Sequence, residues 1–236
     1  MKLFFMNQKE QFVLIVAGGS GSRMKYSIPK QFIPIGNMPI LMHTIAAFYQ
    51  SNKNIHITVV LPGDHIQYWE DLCKKFNFTI VHNLVKGGDT RGASVINGLN
   101  SLPGEGLVAI HDGVRPFVSK EIISNSFDIA GKHGSAVAVV DLKDSIRKVD
   151  LSENKAVDRT NYKIVQTPQT FKIPLIKESY RKADLLTFTD DATVAEAAGN
   201  KIELINGSYD NIKVTTPEDL IVAQEILNRL QNKLQP

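Results

Sequence analysis

Residues 12–23 read FVLIVAGGSGSR, and this stretch decides the fold class. The six residues from Phe12 to Ala17 are all apolar, have strand length and show no polar alternation. Such a run is what a strand buried on both faces requires. The Gly/Ser turn from Gly18 to Ser22 follows at once, and Arg23 ends it. Glycines there let successive backbone N–H groups approach and face an anion, phosphate above all. A plain turn is the alternative reading. The stretch is neither a dinucleotide fingerprint nor a Walker A loop. Met24 stands where a third glycine would be, and no Gly-Lys-Ser/Thr follows.

Outward from this stretch, strands and helices alternate. Pro39 to Tyr49 has helical period, Ile55 to Leu61 reads as a strand, and His65 to Phe76 as a helix. Phe78 to His82 is expected to be a short strand, Thr90 to Leu102 a helix, and Leu107 to Ile110 a strand ending at His111 and Asp112. Ser119 to His133 reads as a helix with a weak capping box, because Ile122 stands where Glu would complete it. Ala136 to Leu142 is the next strand. This alternation implies parallel pairing with helices on both faces, a doubly wound α/β sheet. Ligands of such sheets lie outside the carboxyl ends of the strands. The two polar motifs, Gly18–Arg23 and Asp112–Arg115, fall there.

The pattern changes over DSIRKVDLSENKAVDR, residues 144–159, which has too few apolar residues for a core strand. It is expected to form a protruding hairpin turning at Ser152–Asn154. An isolated hairpin is marginal in water, so packing on a second subunit is expected; a solvated excursion is the alternative. Lys163 to Thr170 is extended, Ile173 to Ala183 and Asp191 to Ala198 are helices, and Lys201 to Ile205 is a strand. Pro217 to Leu230 is a closing helix, with Thr216 as its N-cap and Asp219 in its first turn. No repeat or linker divides the 236 residues, so one domain over 1–236 is expected, with the arm at about 141–160.

Composition narrows the function classes. With 43% hydrophobic and 22% charged residues the chain is globular rather than disordered. A net charge of +3 is too small to argue for nucleic acid or membrane, though it suits an anionic ligand. One cysteine, Cys73, excludes a disulfide framework and a thiolate metal cluster within one chain, and fits the cytoplasm. The start, MKLFFMNQKEQ, is too short in its apolar run for a signal peptide, and no run reaches membrane-helix length.

Behind the glycine turn, Arg23 and Lys30 form a pair of cations suited to a triphosphate. The ordered set AGGSGSRM, PKQF, GGDTRGASV, HDGVRPF, QTPQTF, TDDA and DNIKVTTPEDL resembles the 2-C-methyl-D-erythritol 4-phosphate cytidylyltransferase family over about residues 12–225. The resemblance implies a Rossmann-like, mostly parallel sheet of the nucleotide-diphospho-sugar transferase type. It implies CMP transfer from CTP to the polyol phosphate in isoprenoid precursor synthesis, with pyrophosphate released. It further implies that Arg23 and Lys30 stabilise the transition state, and that Ala17, Gly18, Gly19, Gly88, Asp89, Ser94, Asp112 and Gly113 hold CTP. Arg159, Thr167, Thr189 and Lys213 would hold the acceptor, and Arg159 and Lys213 would also be catalytic, offsetting the repulsion between the acceptor phosphate and the triphosphate. Asp112 would lie beside a magnesium ion, directly or through the phosphates. Arg suits bidentate phosphate contact and Lys supplies a compact charge. Lys213 alternates with Ile212 and Val214, which places it on one face of a strand. The alternative for Asp112 is a helix cap or an ion pair with Arg115. His111 reads as structural.

The attacking group would be the acceptor's own phosphate, largely deprotonated at pH 7. No general base is then needed, which suits the lack of a Ser/His/Asp or Cys/His arrangement. One departure from the family pattern and one shared motif stand out, and the second bears on the substrate. Gly113 and Val114 stand where the family often has alanines, and QTPQTF also occurs in the ribitol 5-phosphate cytidylyltransferases. A non-catalytic nucleotide-binding regulator is the reading from another class. A homodimer through the arm is expected; if the arm crosses to the second subunit, Arg159 near its base would act in the partner's site.

Overall fold

The computed structural model describes residues 10–18, 28–150, 152–183 and 188–232. A seven-stranded sheet carries the molecule. Its strands are β1 (Gln11–Val16), β4 (His56–Leu61), β5 (Asn83–Lys86), β6 (Leu107–Asp112), β7 (Ser135–Asp141), β10 (Lys163–Lys172) and β11 (Leu204–Asn206), in the order β11-β7-β10-β6-β1-β4-β5. All pairings are parallel except those of β10, which runs antiparallel to β6 and β7. The mostly parallel α/β class expected from the alternation is therefore observed. Small hairpins stand apart: β2 (Pro34–Ile35) with β3 (Met38–Pro39), and β8 (Ile146–Val149) with β9 (Asn154–Val157).

The apolar runs explain the layers. From Val13 to Val16 the side chains of β1 are at most 9% exposed, so both sheet faces are covered. Helices α1 (Ile40–Ser51), α2 (Ile66–Lys75) and α4 (Lys120–His133) cover one face, with Phe48, Trp69 and Phe127 against Val13, Ile15 and Val59. On the other, α3 (Arg91–Asn100), α5 (Ile173–Lys182) and α6 (Asp191–Ala197) press Val95, Ile176 and Ala195 onto Leu14, Val60 and Phe171. Gly98 lets α3 lie close to β1, because a Cβ there would stand 2.7 Å from Cδ2 of Leu14. Helix α7 (Pro217–Asn232) packs Ala223, Ile226 and Leu227 on Ile33, Ile40 and Val214. Its start is tied by a reciprocal cap: Thr216 Oγ1 accepts from Asp219 N–H at 3.4 Å, and Asp219 Oδ2 accepts from Thr216 N–H at 2.9 Å. Ser119 caps α4, accepting from Ile122 N–H at 3.3 Å.

Two expectations are corrected. Residues 78–82 are not a strand; the strand is β5, one step later, paired with residues 58–61 of β4. The apolar alternation of Phe78, Ile80 and His82 serves a different surface. These residues surround Trp69, whose Nε1–H donates to His82 Nε2 at 2.9 Å. Lys213 is also not on a strand. Segment 212–215 pairs through a single bond, Val214 N–H to Val114 O at 2.9 Å, which makes no ladder. Among the described residues no helix is long and apolar enough to cross a membrane.

Candidate active site

The strand order reverses at β1 and β6. From β1 the chain steps outward through β4 to β5, then crosses back through α3 to β6 on the other side of β1. That is the position at which open α/β sheets bind ligands. Two adjoining cavities lie there. The larger, about 320 Å³, is lined by Ala17, Gly18, Lys30, Gly88, Asp89 and Ser94 among others. The smaller, about 180 Å³, is lined by Arg115, Gln166, Thr167, Gln169, Thr189 and Asp190. Arg91, Asp112 and Lys213 line both.

Each wall has a local cause. Strand β1 ends at Val16, and Ala17 N–H donates to Val60 O at 2.9 Å, which aims the chain along the mouth of the cleft. Buried Gln31 fixes the other side, its Nε2 donating to Ala17 O at 2.9 Å. The Gly87–Gly88 turn is closed by Ser94, whose Oγ accepts from Gly88 N–H at 3.1 Å and donates to Gly88 O at 3.2 Å. Thr90 meanwhile caps α3 by accepting from Ala93 N–H at 3.0 Å. Pro168 interrupts β10, and its register shifts between Val165 and Gln169. The shift delivers Thr167 to the strand end of β6, where its Oγ1 accepts from Asp112 N–H at 3.1 Å and meets His111 Nδ1 at 3.0 Å.

Asp112 is the electrostatic centre. Its Oδ2 accepts from Arg115 Nε and Lys213 Nζ, each at 3.1 Å, and Arg91 Nε stands 3.8 Å from Oδ1. Burial works against its charge, but Lys213, Arg91 and Arg115 hold the carboxyl well below the usual carboxylate range. The ion pair with Arg115, the alternative read from sequence, is present, and the same carboxylate lines both cavities. Beside it, burial pushes the His111 imidazole down to about 4, so at neutral pH it is an uncharged, hydrogen-bonded strut.

The structure therefore brings Ala17, Gly18, Lys30, Gly88, Asp89, Ser94, Asp112, Thr167, Thr189 and Lys213 to one cleft. Gly19 and Arg23 lie outside the described residues. Gly113 lines neither cavity. Its N–H donates to Val16 O at 2.9 Å and its carbonyl accepts from Thr44 Oγ1 at 3.0 Å, so it packs behind the wall. Arg159 also lines neither cavity; it is exposed and donates to Lys143 O near the base of the β8–β9 hairpin. Sequence reasoning missed Arg91, Arg115, Gln31 and Asp190 as lining residues. Arg91 was the one charged residue of GGDTRGASV, besides Asp89, lying within a motif already singled out.

The family model for 2-C-methyl-D-erythritol 4-phosphate cytidylyltransferase matches residues 11–229. The chain belongs to this family. It is 46% identical over 215 residues to the enzyme of that name from Phocaeicola vulgatus, covering 91% of this chain and 98% of the relative. The like-named Alkaliphilus metalliredigens protein is 40% identical over 223 residues, covering 92% of each. Among solved structures, the 4-diphosphocytidyl-2C-methyl-D-erythritol synthase of Anaerococcus prevotii superposes with a TM-score of 0.81 at 31% identity, over 94% of this chain and 97% of that one. The 2-C-methyl-D-erythritol 4-phosphate cytidylyltransferase of Thermus thermophilus gives 0.75 at 28%, over 92% and 98%. The chain is accordingly a nucleotidyltransferase of the cytidylyltransferase kind, and the ribitol 5-phosphate alternative is not favoured.

Proposed function

We propose that this chain transfers CMP from CTP to 2-C-methyl-D-erythritol 4-phosphate, giving 4-diphosphocytidyl-2-C-methyl-D-erythritol and pyrophosphate, with CTP in the larger lobe and the acceptor in the smaller. The observation that carries this assignment is the shared wall of Arg91, Asp112 and Lys213 between the two cavities. An acceptor phosphate and an α-phosphate placed on either side of it face each other. A phosphate oxygen of the acceptor forms the new bond to the α-phosphorus, and the bond from that phosphorus to the β-phosphate oxygen breaks. The electron pair leaves with pyrophosphate, so no protein nucleophile or base is consumed. His111, neutral and buried, fits a structural role rather than proton transfer.

In this reading Ala17, Gly18 and Gly19 face the triphosphate, and Gly88, Asp89 and Ser94 read the cytosine. Arg23 and Lys30 neutralise charge on the five-coordinate phosphorus. Thr167, Thr189 and Lys213 hold the acceptor. Catalysis is then positioning and charge neutralisation. A divalent cation fits beside CTP at Asp112, whose carboxylate lines the cleft and is held ionised by Lys213, Arg91 and Arg115. A hard ion such as magnesium would take Asp112 and phosphate oxygens, and would supply charge neutralisation at the triphosphate.

The arm supports a homodimer. Strands β8 and β9 are exposed, Val149 is 72% exposed, and a two-stranded sheet alone is marginal. Arg159 at its base would then reach the partner's acceptor lobe, within one domain of 1–236 whose arm spans about 141–160. A monomeric mass by light scattering at assay concentration would refute the dimer. A cytoplasmic location fits the single half-buried thiol of Cys73, and cell fractionation tests it. The test of the reaction is pyrophosphate release from CTP and magnesium with methylerythritol 4-phosphate and ribitol 5-phosphate supplied separately. Release with the first is expected. Release with the second alone would move the enzyme to another substrate. Release with neither from folded protein would overturn the reading. Lys30→Ala and Arg23→Ala are expected to abolish turnover without unfolding the chain, and full activity in either would remove it from the site.

A further inference from the structure

Arg91 opens α3 and Asp191 opens α6, and the two side chains meet. Nη1 donates to Oδ1 at 3.0 Å and Nη2 to Oδ2 at 2.7 Å. From α5, the Tyr180 hydroxyl donates to the same Oδ1 at 2.6 Å. Asp191 is fully buried and Tyr180 nearly so. Stability alone gives little reason for this arrangement. A guanidinium in the first turn faces the positive end of the helix dipole. A buried ion pair, moreover, seldom outperforms apolar side chains of the same volume, because desolvation offsets the attraction.

Its consequence is geometric. Just ahead of Arg91 lie Gly88 and Asp89, which line the larger lobe. Just ahead of Asp191 lie Thr189 and Asp190, which line the smaller. Asp190 is itself anchored, accepting from Gln169 Nε2 at 3.0 Å and from Thr193 N–H at 2.9 Å. The ion pair therefore ties the turn of one lobe to the turn of the other. It does so beside Asp112, 3.8 Å from Arg91 Nε.

We propose that Arg91 and Asp191, braced by Tyr180, form a strut that fixes the spacing of the two lobes and so positions the acceptor phosphate against the nucleotide. The inference rests on the lobe assignment above. Asp191 lines neither lobe, so it is a positioning residue that acts through Arg91 and Thr189. Both terminal nitrogens of Arg91 are engaged by Asp191, which holds the guanidinium edge-fixed at the junction. A shift of about 1 Å between reacting groups can cost about 100-fold in rate.

Asp191→Asn keeps the shape and removes the charge that holds Arg91. The experiment is steady-state pyrophosphate release with CTP and methylerythritol 4-phosphate varied separately, alongside calorimetric binding of a non-hydrolysable CTP analogue. The expected result is a fall of about 100-fold in kcat/KM for the acceptor, with analogue affinity within about threefold of the unmodified chain. Tyr180→Phe should shift the same parameter in the same direction by less. Equal losses for acceptor and analogue would reduce the pair to a general structural role and overturn the strut. So would an unchanged acceptor parameter. If Asp191→Asn does not fold, Tyr180→Phe carries the test, since Tyr180 lines neither lobe and braces Asp191 through one bond; the same split, smaller in size, is required of it. Unmodified chain that works only with ribitol 5-phosphate would overturn the substrate assignment while leaving the strut to be read with that acceptor. Unmodified chain that works with neither would overturn both.

Discussion

Replacing Lys213 by alanine separates the two lobes most directly. Its Nζ stands 3.1 Å from Asp112 Oδ2 on the wall both lobes share, and its side chain is 40% exposed. In the proposed complex the ammonium gives the acceptor phosphate one charge-assisted hydrogen bond. Such a bond contributes about 1.5–3 kcal/mol. At about 1.4 kcal/mol per decade, its loss lowers kcat/KM for the acceptor roughly 10- to 150-fold. Folding should hardly change. Asp112 keeps Arg115 at 3.1 Å and Arg91 at 3.8 Å, so its charge stays paired. A half-exposed ion pair itself contributes no more than about 1 kcal/mol. The assay is initial-rate pyrophosphate release with each substrate varied, and a thermal melt as the control. The CTP parameter should fall much less than the acceptor parameter, and Lys213→Arg should recover part of the loss. An equal fall for both substrates, at an unchanged melting temperature, would show that Lys213 does not hold the acceptor selectively.

Two further outcomes follow from the walls of the cleft. Ser94→Ala removes both bonds that close the turn on Gly88; KM for CTP should rise about 5- to 10-fold, from roughly 1 kcal/mol, and an equal rise for the acceptor would contradict the base-reading assignment. His111 titrates near 4 in the folded chain against an ordinary 6.5, so the unfolded chain binds the proton first as pH falls. Its stabilising contribution is complete above pH 6.5 and shrinks toward pH 4, by about 2 kcal/mol at pH 5. Urea midpoints at pH 7.5 and 5 should show this loss, and His111→Asn should flatten it; an undiminished loss in the variant would assign the effect elsewhere.

The sheet was legible because its parallel strands are continuous apolar runs: FVLIVA, ITVVL, LVAI and AVAVV each sit where the pattern put them. What the pattern could not show is β10 in the middle of the sheet. Its centre, Gln166 to Thr170, is polar, yet Gln166, Thr167, Gln169 and Thr170 are at most 6% exposed. They are satisfied by partners distant in sequence. Gln169 Oε1 accepts from Ala192 N–H at 2.8 Å, and Thr170 Oγ1 meets Ser126 Oγ at 2.9 Å. Hydropathy reads such residues as surface until their partners are known. The reverse error placed a strand at residues 78–82, where alternation served the cover of Trp69. Of the site, the glycine turn, Asp112 and Lys213 stood in quoted motifs. Arg91 and Asp191 did too, but their meaning lies in a pair 100 residues apart, which no local spacing reveals.

The charges around Asp112 explain why a cleft for two anions contains a buried anion at its centre. Arg91, Arg115 and Lys213 converge within 3.8 Å of one carboxylate. Without it, three cations so close would repel one another and turn outward to water. With it, they are held in place before any substrate arrives, and the Asp112 backbone is pinned by Thr167 from the acceptor side. In the proposed reaction a phosphate monoester must approach a triphosphate, and the repulsion between them is the main obstacle. Donors already fixed by Asp112 and Asp191 meet the developing charge without reorganising, which is where preorganised sites gain most over water. In the proposed complex the same carboxylate, kept ionised by its three cations, would also offer an oxygen ligand to a hard cation accompanying CTP. Removing the carboxylate should therefore do more harm than its single negative charge suggests: Asp112→Asn loses the ligand and loosens all three cations together, so its effect on kcat should exceed that of Lys213→Ala in the same assay, and a smaller effect would show that the cations hold their places unaided.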